Sequence, residues 1–371
     1  MKRSELNVGQ DFSLAKCKTP AGVTPLVVSL TARVRSLLIS SVLLCLICVN
    51  SSFAFNKVGT TAAPFLKIEF GGRAVAMGGS FVALANDPSG VYYNPAGIAE
   101  LQNLYVSGGH TEWFADLNYE YAALILPTKR LNFCLWGTFL SSSDMEVTTV
   151  EVPEGTGQYF RYIDGLLAFT TSALLSDRLS IGFSAKYIQQ SLYNESAATL
   201  ALDIGSLLKT PLKGMRLGMC LVNYGGRMQL SGNDLIIQTD PWPEYQGNAD
   251  VEARLTTESF PLPMAFKLGL AFYIMDKEEA FFLNDNYQLL VAIDGIHPND
   301  GEEKLQIGVE YGIFNILFLR GGYKVNYDTQ KFTAGAGIKA AIARRDIYVD
   351  YAYVDMDVLD ATHRFTLTIG F

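Results

Sequence analysis

Period-two alternation of greasy and polar side chains runs through most of this chain, and no other feature restricts its fold as much. In the last stretch Phe365, Leu367, Ile369 and Phe371 alternate with Arg364, Thr366, Thr368 and Gly370. Successive side chains of a strand point to opposite faces, so this pattern gives one apolar and one polar face and does not fit a helix. The pattern recurs upstream. Leu131, Phe133, Leu135 and Phe139 alternate with Asn132, Cys134, Trp136 and Thr138. Leu179, Ile181, Phe183, Ala185 and Tyr187 alternate with Ser180, Gly182, Ser184 and Lys186. Met264, Phe266, Leu268, Leu270 and Phe272 do so with Lys267 and Gly269, and Leu305, Ile307, Val309 and Tyr311 with Gln306, Gly308 and Glu310. In 117–125 the greasy set is Leu117, Tyr119, Tyr121, Ala123 and Ile125, which predicts an outward face opposite Asn118, Glu120 and Ala122.

Fourteen such segments are predicted, at 103–112, 116–126, 131–140, 160–170, 178–190, 196–205, 214–222, 263–272, 286–295, 303–311, 315–324, 331–341, 346–355 and 362–371. The total is open by one hairpin within 141–165 or 224–262. Connections follow a parity: the two longest, 141–159 and 223–262, are odd-numbered, while 127–130, 312–314 and 342–345 are even and short. Transmembrane barrels join strands by short periplasmic turns and longer outer loops. The even connection 273–285 is the exception. A soluble β-sandwich also alternates, but it turns its greasy face into a shared core. Here Tyr119, Tyr187, Phe272, Tyr287, Tyr311, Tyr323 and Phe371 lie towards the ends of the greasy rows, which suits interfacial girdles of a lipid-facing band. The opposite rows carry Lys186, Asp203, Lys267, Glu310, Arg320, Lys324, Lys339, Asp350 and Arg364. Their mixed signs predict ion pairs across a lumen that is partly plugged. The fold class expected is therefore all-β, a transmembrane antiparallel β-barrel of about fourteen strands.

The other end of the chain agrees with this. Arg33 and Arg35 precede an apolar run at 36–49 and a small-x-small pattern at Ser52-Phe53-Ala54, the layout of a cleaved secretory signal. A transmembrane anchor is the competing reading, but it normally needs about 20 apolar residues. Residues 1–32 are polar and long for the start of a signal, as a mis-assigned start codon would make them. Residues 1–54 are thus read as an extended signal segment. Cleavage after Ala54 leaves 23 Lys and Arg against 35 Asp and Glu, which excludes the basic footprint of a nucleic-acid binder. Only Cys134 and Cys220 remain, too few for a disulfide framework. No remaining segment is long and apolar enough for a membrane helix, and a membrane chain without such helices must close into a barrel.

Residues 55–102 break the alternation. Gly71-Gly72 and Gly78-Gly79 interrupt the backbone, Ala74, Ala76, Val82 and Ala83 suggest short helices, and Asn86-Asp87-Pro88-Ser89-Gly90 reads as a turn. Asn94-Pro95-Ala96-Gly97 starts a last helical turn with Asn as N-cap and Pro at the first position, where its missing N–H costs nothing. A segment of this size, placed before the first strand, fits inside a barrel as a short N-terminal helical hatch, leaving 103–371 as the barrel.

The run GRAVAMGGSFVALANDPSGVYYNPAGIA (72–99), followed by a barrel ending in an aromatic, resembles the PorV/PorQ group of outer-membrane proteins, which is similar to FadL-type long-chain fatty-acid transporters. The resemblance covers the layout of 55–371 but is motif-specific only across about 66–101. It implies a fourteen-stranded barrel with a hatch, and it carries a hatch-closing role onto Asn94, Pro95 and Ala96. It also implies an outer-membrane location, with Phe365, Leu367, Ile369 and Phe371 as the terminal signal read by the barrel-assembly machinery.

Catalytic signatures are missing from the sequence. His110, His297 and His363 stand apart from one another, and beyond the signal segment, which holds Cys45-Leu46-Ile47-Cys48, no HExxH, CxxC, Walker-type loop or GxSxG elbow occurs. A barrel-embedded lipase using His110 or His363 is a remote alternative. No enzyme, metal or cofactor is expected. Two function classes remain. One is passive transport of a small hydrophobic, fatty-acid-like molecule through a hatch-gated lumen, with Trp242 and Tyr245 in the long loop as a landing site. The other is an accessory barrel for protein secretion or surface attachment, whose outer loops dock secretion-system proteins.

Overall fold

The computed structural model describes residues 59–371 except 243, 245–249, 279 and 344. The signal segment, the cleavage point after Ala54 and Tyr245 lie outside the described residues. Fourteen antiparallel strands form the wall: β1 Tyr105–Glu112, β2 Asn118–Pro127, β3 Asn132–Ser141, β4 Tyr162–Ser176, β5 Leu179–Leu192, β6 Glu195–Lys209 and β7 Met215–Gly225 come first. β8 Ala265–Asp276, β9 Tyr287–Pro298, β10 Lys304–Ile313, β11 Leu317–Val325, β12 Phe332–Ile342, β13 Arg345–Asp355 and β14 Ala361–Gly370 complete it. Each strand pairs with the next in sequence. The ring closes where β14 meets β1, Tyr105 opposite Gly370 through Glu112 opposite His363. The Phe371 amide adds a bond to the Leu104 carbonyl at 2.9 Å. Closure removes both sheet edges, so every ladder group finds a partner inside the wall.

The apolar rows face outwards. In β14, Phe365 and Leu367 are exposed while Thr362, Arg364, Thr366 and Thr368 are buried. A closed antiparallel barrel with a greasy exterior and a polar interior is a membrane-spanning one. The start of β1, the end of β14 and the six even-numbered connections share one end, here the turn end. The opposite, loop end holds residues 142–161 and 226–264. Those two loops carry hairpins of their own: Met145–Glu146 pairs with Tyr159–Phe160, Arg227–Gln229 with Ser259–Pro261, and Ile236–Thr239 with Val251–Arg254. Among the described residues neither loop adds a full wall strand, although Ser231–Gly232 pairs with the loop-end start of β6 at Glu195 and Ser196. The long even connection reduces to 277–286, because β8 runs on to Asp276, and Phe282–Leu283 pairs parallel with Met275–Asp276. β4 and β6 also run further towards the turn end than their alternation foretells.

One face assignment is inverted. Tyr119, Tyr121, Ala123 and Ile125 of β2 are buried and point into the lumen, whereas Glu120 and Ala122 are exposed. Tyr119 therefore belongs to no girdle. The reason is that the lumen is not uniformly polar: Phe70 of the N-terminal segment stacks on Tyr121 with ring centroids 4.5 Å apart, and the Tyr119 hydroxyl donates to the Ile68 carbonyl at 3.2 Å. An apolar luminal neighbour lets a greasy row face inwards. Outside, the Glu120 carboxylate accepts from His110 Nδ1 across the β1–β2 pair at 2.5 Å, two polar groups towards the loop end.

Residues 64–100 pass through the interior as a 3-10 turn Pro64–Lys67, two short helices Gly72–Ala76 and Gly90–Tyr93, and a 3-10 turn Pro95–Glu100. Phe70, Met77, Phe81, Leu84, Tyr93 and Ile98 are fully buried. Such short helices form no stable structure alone, and their backbone groups are held by the wall, as described next.

Candidate functional site

Wall side chains satisfy the backbone of the luminal segment, as burial of peptide groups demands. Asp294 of β9 accepts the Phe81 and Val82 amides at 2.7 and 2.8 Å. Thr366 of β14 accepts the Gly72 amide at 2.8 Å, and the Thr333 hydroxyl of β12 donates to the Ala76 carbonyl at 3.0 Å. Asn132 of β3 donates to the Ile98 and Leu101 carbonyls, both at 2.7 Å. Arg364 donates to the Glu69 carbonyl. The tethers thus come from strands around the whole ring.

Asn94 is the most connected residue of its motif. Its Oδ1 accepts the Ala96 amide at 3.0 Å, capping Pro95–Glu100, and its amide group donates to the Val82 carbonyl and to the Ser206 carbonyl of β6, both at 2.9 Å. One side chain therefore joins two parts of the segment to the wall. Pro95, Ala96 and Gly97 are buried with it. Gly78 and Gly79 both have φ near +70 to +80°, a region that only glycine enters without strain. A Cβ on Gly79 would also collide with Glu69.

Most of the lumen-facing charged residues fall into four sets. Lys186 pairs with Asp203 at 2.5 Å and donates to Asn223 at 2.9 Å. Asp203 in turn accepts the Asn223 amide at 2.7 Å where the β6–β7 register shifts and Asn223 adopts φ 59°. Arg320 binds Glu310 and Asp350, both at 2.6 Å. Glu310 also receives Arg73 of the luminal segment at 2.8 and 2.9 Å, and Arg73 reaches Asn86 at 2.8 Å. Lys339 lies at the turn-end mouth, partly exposed, paired with Asp346 at 3.1 Å. Near the loop end Glu69 receives Lys324 at 2.6 Å and Gln306 at 2.7 Å. Burial alone would raise the Glu69 carboxyl, but the ammonium of Lys324 and then the guanidinium of Arg364 outweigh it and hold the group below its ordinary range.

Lys267 stands apart. It is 8% exposed, and among the described residues its ammonium has no carboxylate within ion-pair distance. It sits over the rings of Tyr92 and Tyr93, 4.8 and 5.7 Å from their centroids, an electrostatic attraction of about 0.5–2 kcal/mol. It lines a loop-end cavity of about 430 Å³, together with Leu66, Tyr92, Val222, Pro263 and Lys304. A second, smaller cavity of about 200 Å³ at the turn end is lined by Arg73, Asp87, Tyr121, Arg320 and Asp350. The buried rings and apolar side chains of the luminal segment lie between the regions these cavities occupy.

Several of these residues carry no motif in the sequence. Asp294 and Asn132 are single polar residues in unremarkable contexts, and Arg73 lies in the 72–99 run without any local sign of its partner Glu310. The inward glycines are another set that pattern reading passes over. A Cβ on Gly182 or Gly205 would collide with Pro95 or Asn94, on Gly218 with Val82, on Gly308 with Met77, and on Gly322 with Gly78. Their signal was available: glycine at inward positions of strand after strand marks close approach of another backbone. Phe365, Leu367 and Phe371 are exposed on the outer face and Ile369 partly so. Among the described residues no group of three or more His, Cys, Asp and Glu is placed to hold a metal ion.

The architecture is a closed, membrane-spanning barrel of fourteen antiparallel strands with an occupied lumen, and the comparisons with solved structures agree on that fold. Over residues 47–171, about a third of its length, the chain matches an uncharacterised protein family, UPF0164. Among solved structures it is similar to the CymD monoaromatic hydrocarbon channel, with 12% identity, 85% of this chain and 98% of that one covered, and a TM-score of 0.50. It is similar to the Pseudomonas putida toluene transporter TodX, also at 12% identity and TM-score 0.50, with 82% of this chain and 98% of that one covered. No curated protein matches the sequence.

Proposed function

We propose that this barrel lets small hydrophobic molecules with a polar head, fatty-acid-like in form, cross the outer membrane passively, with residues 64–100 as a hatch in the lumen. The observation that carries the reading is the loop-end cavity. Its wall is mixed: Leu66, Tyr92, Val222, Pro263 and Ile296 offer apolar burial worth about 25 cal/mol per Å², beside the charged Glu69, Asp300, Lys304 and Lys324. Among the described residues Lys267 adds a desolvated ammonium outside any ion pair. A ligand carboxylate that meets Lys267 draws the ammonium off Tyr92 and Tyr93, and these two rings belong to the hatch. Tyr93 donates to the Phe70 carbonyl at 3.0 Å and packs edge-on against Phe81. Ligand arrival is thereby coupled to the packing that closes the lumen, and Asn94 ties the same packing to the wall. The likeness to hydrocarbon channels supports the transport class.

Uptake of a labelled long-chain fatty acid into liposomes bearing the protein tests this. Protein-dependent uptake is expected. Lys267→Met is expected to lower apparent affinity for the carboxylate about tenfold, the order of one lost charge-assisted bond, while leaving a neutral aromatic hydrocarbon unchanged. Asn94→Ala is expected to alter the rate for both. If none of the three proteins takes up either compound, the reading is wrong.

The hairpins in loops 142–161 and 226–264 favour a second reading, an accessory barrel that docks secretion-system proteins at its loop end. Cross-linking in native membranes separates the two. A stoichiometric partner on the loop end together with no uptake selects the accessory role.

A further inference from the structure

The two ends of the barrel carry opposite chemistry. The seven loop-end connections, 113–117, 142–161, 193–194, 226–264, 299–303, 326–331 and 356–360, contain seventeen Asp and Glu against four Lys and Arg. The six turn-end connections, 128–131, 177–178, 210–214, 277–286, 314–316 and 343–344, contain six Lys and Arg against four Asp and Glu. The net negative charge of the barrel therefore sits almost wholly at one end. The turn end is distinctive in a second way, because its basic residues adjoin exposed apolar ones. Leu131 follows Lys129 and Arg130, Leu175 lies near Arg178, and Leu212 precedes Lys213. Lys277 opens the connection in which Phe281, Phe282 and Leu283 are all more than half exposed. Lys129, Arg130, Arg178, Lys213 and Lys277 are themselves exposed, and among the described residues none of them is in an ion pair.

Alternating apolar and cationic groups around a rim that continues the lipid-facing belt is the arrangement that fits the boundary between acyl chains and phosphates. The apolar side chain enters the hydrocarbon, and the long Lys or Arg stem carries its charge out to the head group. The Phe282–Leu283 strand strengthens this. It bonds to β8 beyond Phe272, the last β8 residue paired with β7, so it lengthens the wall on the side that β7 leaves open. Phe314 and Ile316 in the 314–316 turn add exposed apolar groups on the same rim. We propose that the turn-end rim is a binding belt for the phosphate head groups of anionic phospholipids in the adjoining leaflet, which fixes the barrel's depth in the membrane. The acidic loop end makes no such contact, so the two leaflets are recognised differently.

Reconstitution in nanodiscs of equal phosphatidylglycerol and phosphatidylcholine, followed by mass spectrometry of the lipids that stay bound, reads the preference directly. The wild-type barrel is expected to retain phosphatidylglycerol in excess. Neutralising Lys129, Arg130, Arg178 and Lys213 to Gln is expected to remove that excess, and each single change to reduce it up to about fivefold at low salt, the effect of one basic residue near a charged surface. Neutralising Asp144, Glu151, Asp357 and Asp360 at the loop end is expected to leave it unchanged. If the fourfold basic variant does not give a heat-modifiable barrel, the single variants carry the test. Equal retention of both lipids by the wild type, or an undiminished excess in the basic variants, overturns the proposal.

Discussion

At the scale of single residues the interior is held by polar side chains whose partners are distant in sequence, and two of them allow sharp tests. Glu69 is held below its ordinary range of about 4.5 by Lys324 and Arg364 in spite of burial. A carboxyl with a depressed folded-state pKa contributes stability that is present above its unfolded value and is lost as pH falls through the folded one. Below pH 4.5 the wild type is therefore expected to lose stability more steeply than Glu69→Gln, whereas at pH 7 the variant is the weaker. Heat-modifiable gel migration after incubation across pH 3–7 checks this, and parallel curves would contradict it. Gly205 is the second case. An Ala there meets Asn94 and Pro95, and overpacking of this kind costs about 1–3 kcal/mol. Gly205→Ala is expected to open residues 94–100 to protease while the wall stays resistant. Neither residue was marked by a motif, because a tether across the lumen joins positions more than a hundred residues apart and leaves no local pattern. The cap at Asn94 was legible, since Asn before Pro is a local signal.

At the scale of elements the strands were legible and their faces mostly so. Fourteen strands, the pairing of β14 with β1 and the outward placement of Phe365 and Leu367 follow from period-two alternation, which depends only on the chain itself. β2 shows where that logic stops. A Tyr-rich row reads as lipid-facing until Phe70 is known to lie inside, and hydrophobicity alone does not say which side holds the apolar partner. The two faces make separable predictions in denaturant unfolding. Tyr121→Ala is expected to cost about 3–5 kcal/mol, as for a large buried aromatic, and Glu120→Ala within about 0.5 kcal/mol, as for an exposed site. The reverse order would restore the outward assignment of Tyr121. On β14, Leu367→Arg is expected to cost about 2–4 kcal/mol if the residue lies near the bilayer midplane, and Thr366→Ser much less. The loops were legible only by length, since their hairpins are short and lie off the wall.

At the scale of the whole molecule the account rests on one arrangement, a closed barrel whose lumen is occupied. Fourteen strands enclose room for a channel, yet residues 64–100 fill it with buried rings and with the Arg73–Glu310–Arg320–Asp350 chain of charges. Beyond its covalent continuation into β1, this segment is held by Asp294 of the wall, by its own Asn94 bonding to Ser206, and by close approach at the inward glycines. Occupation and tethering together predict a pore that is shut at rest and opens when the tethers are cut. Single-channel conductance in a planar bilayer measures this most directly. The wild type is expected to pass almost no ions, and the Asn94→Ala/Asp294→Asn variant to show frequent openings, with heat-modifiable migration confirming that its wall is intact. A wild-type barrel that conducts steadily, like a wide water-filled pore, would contradict the account.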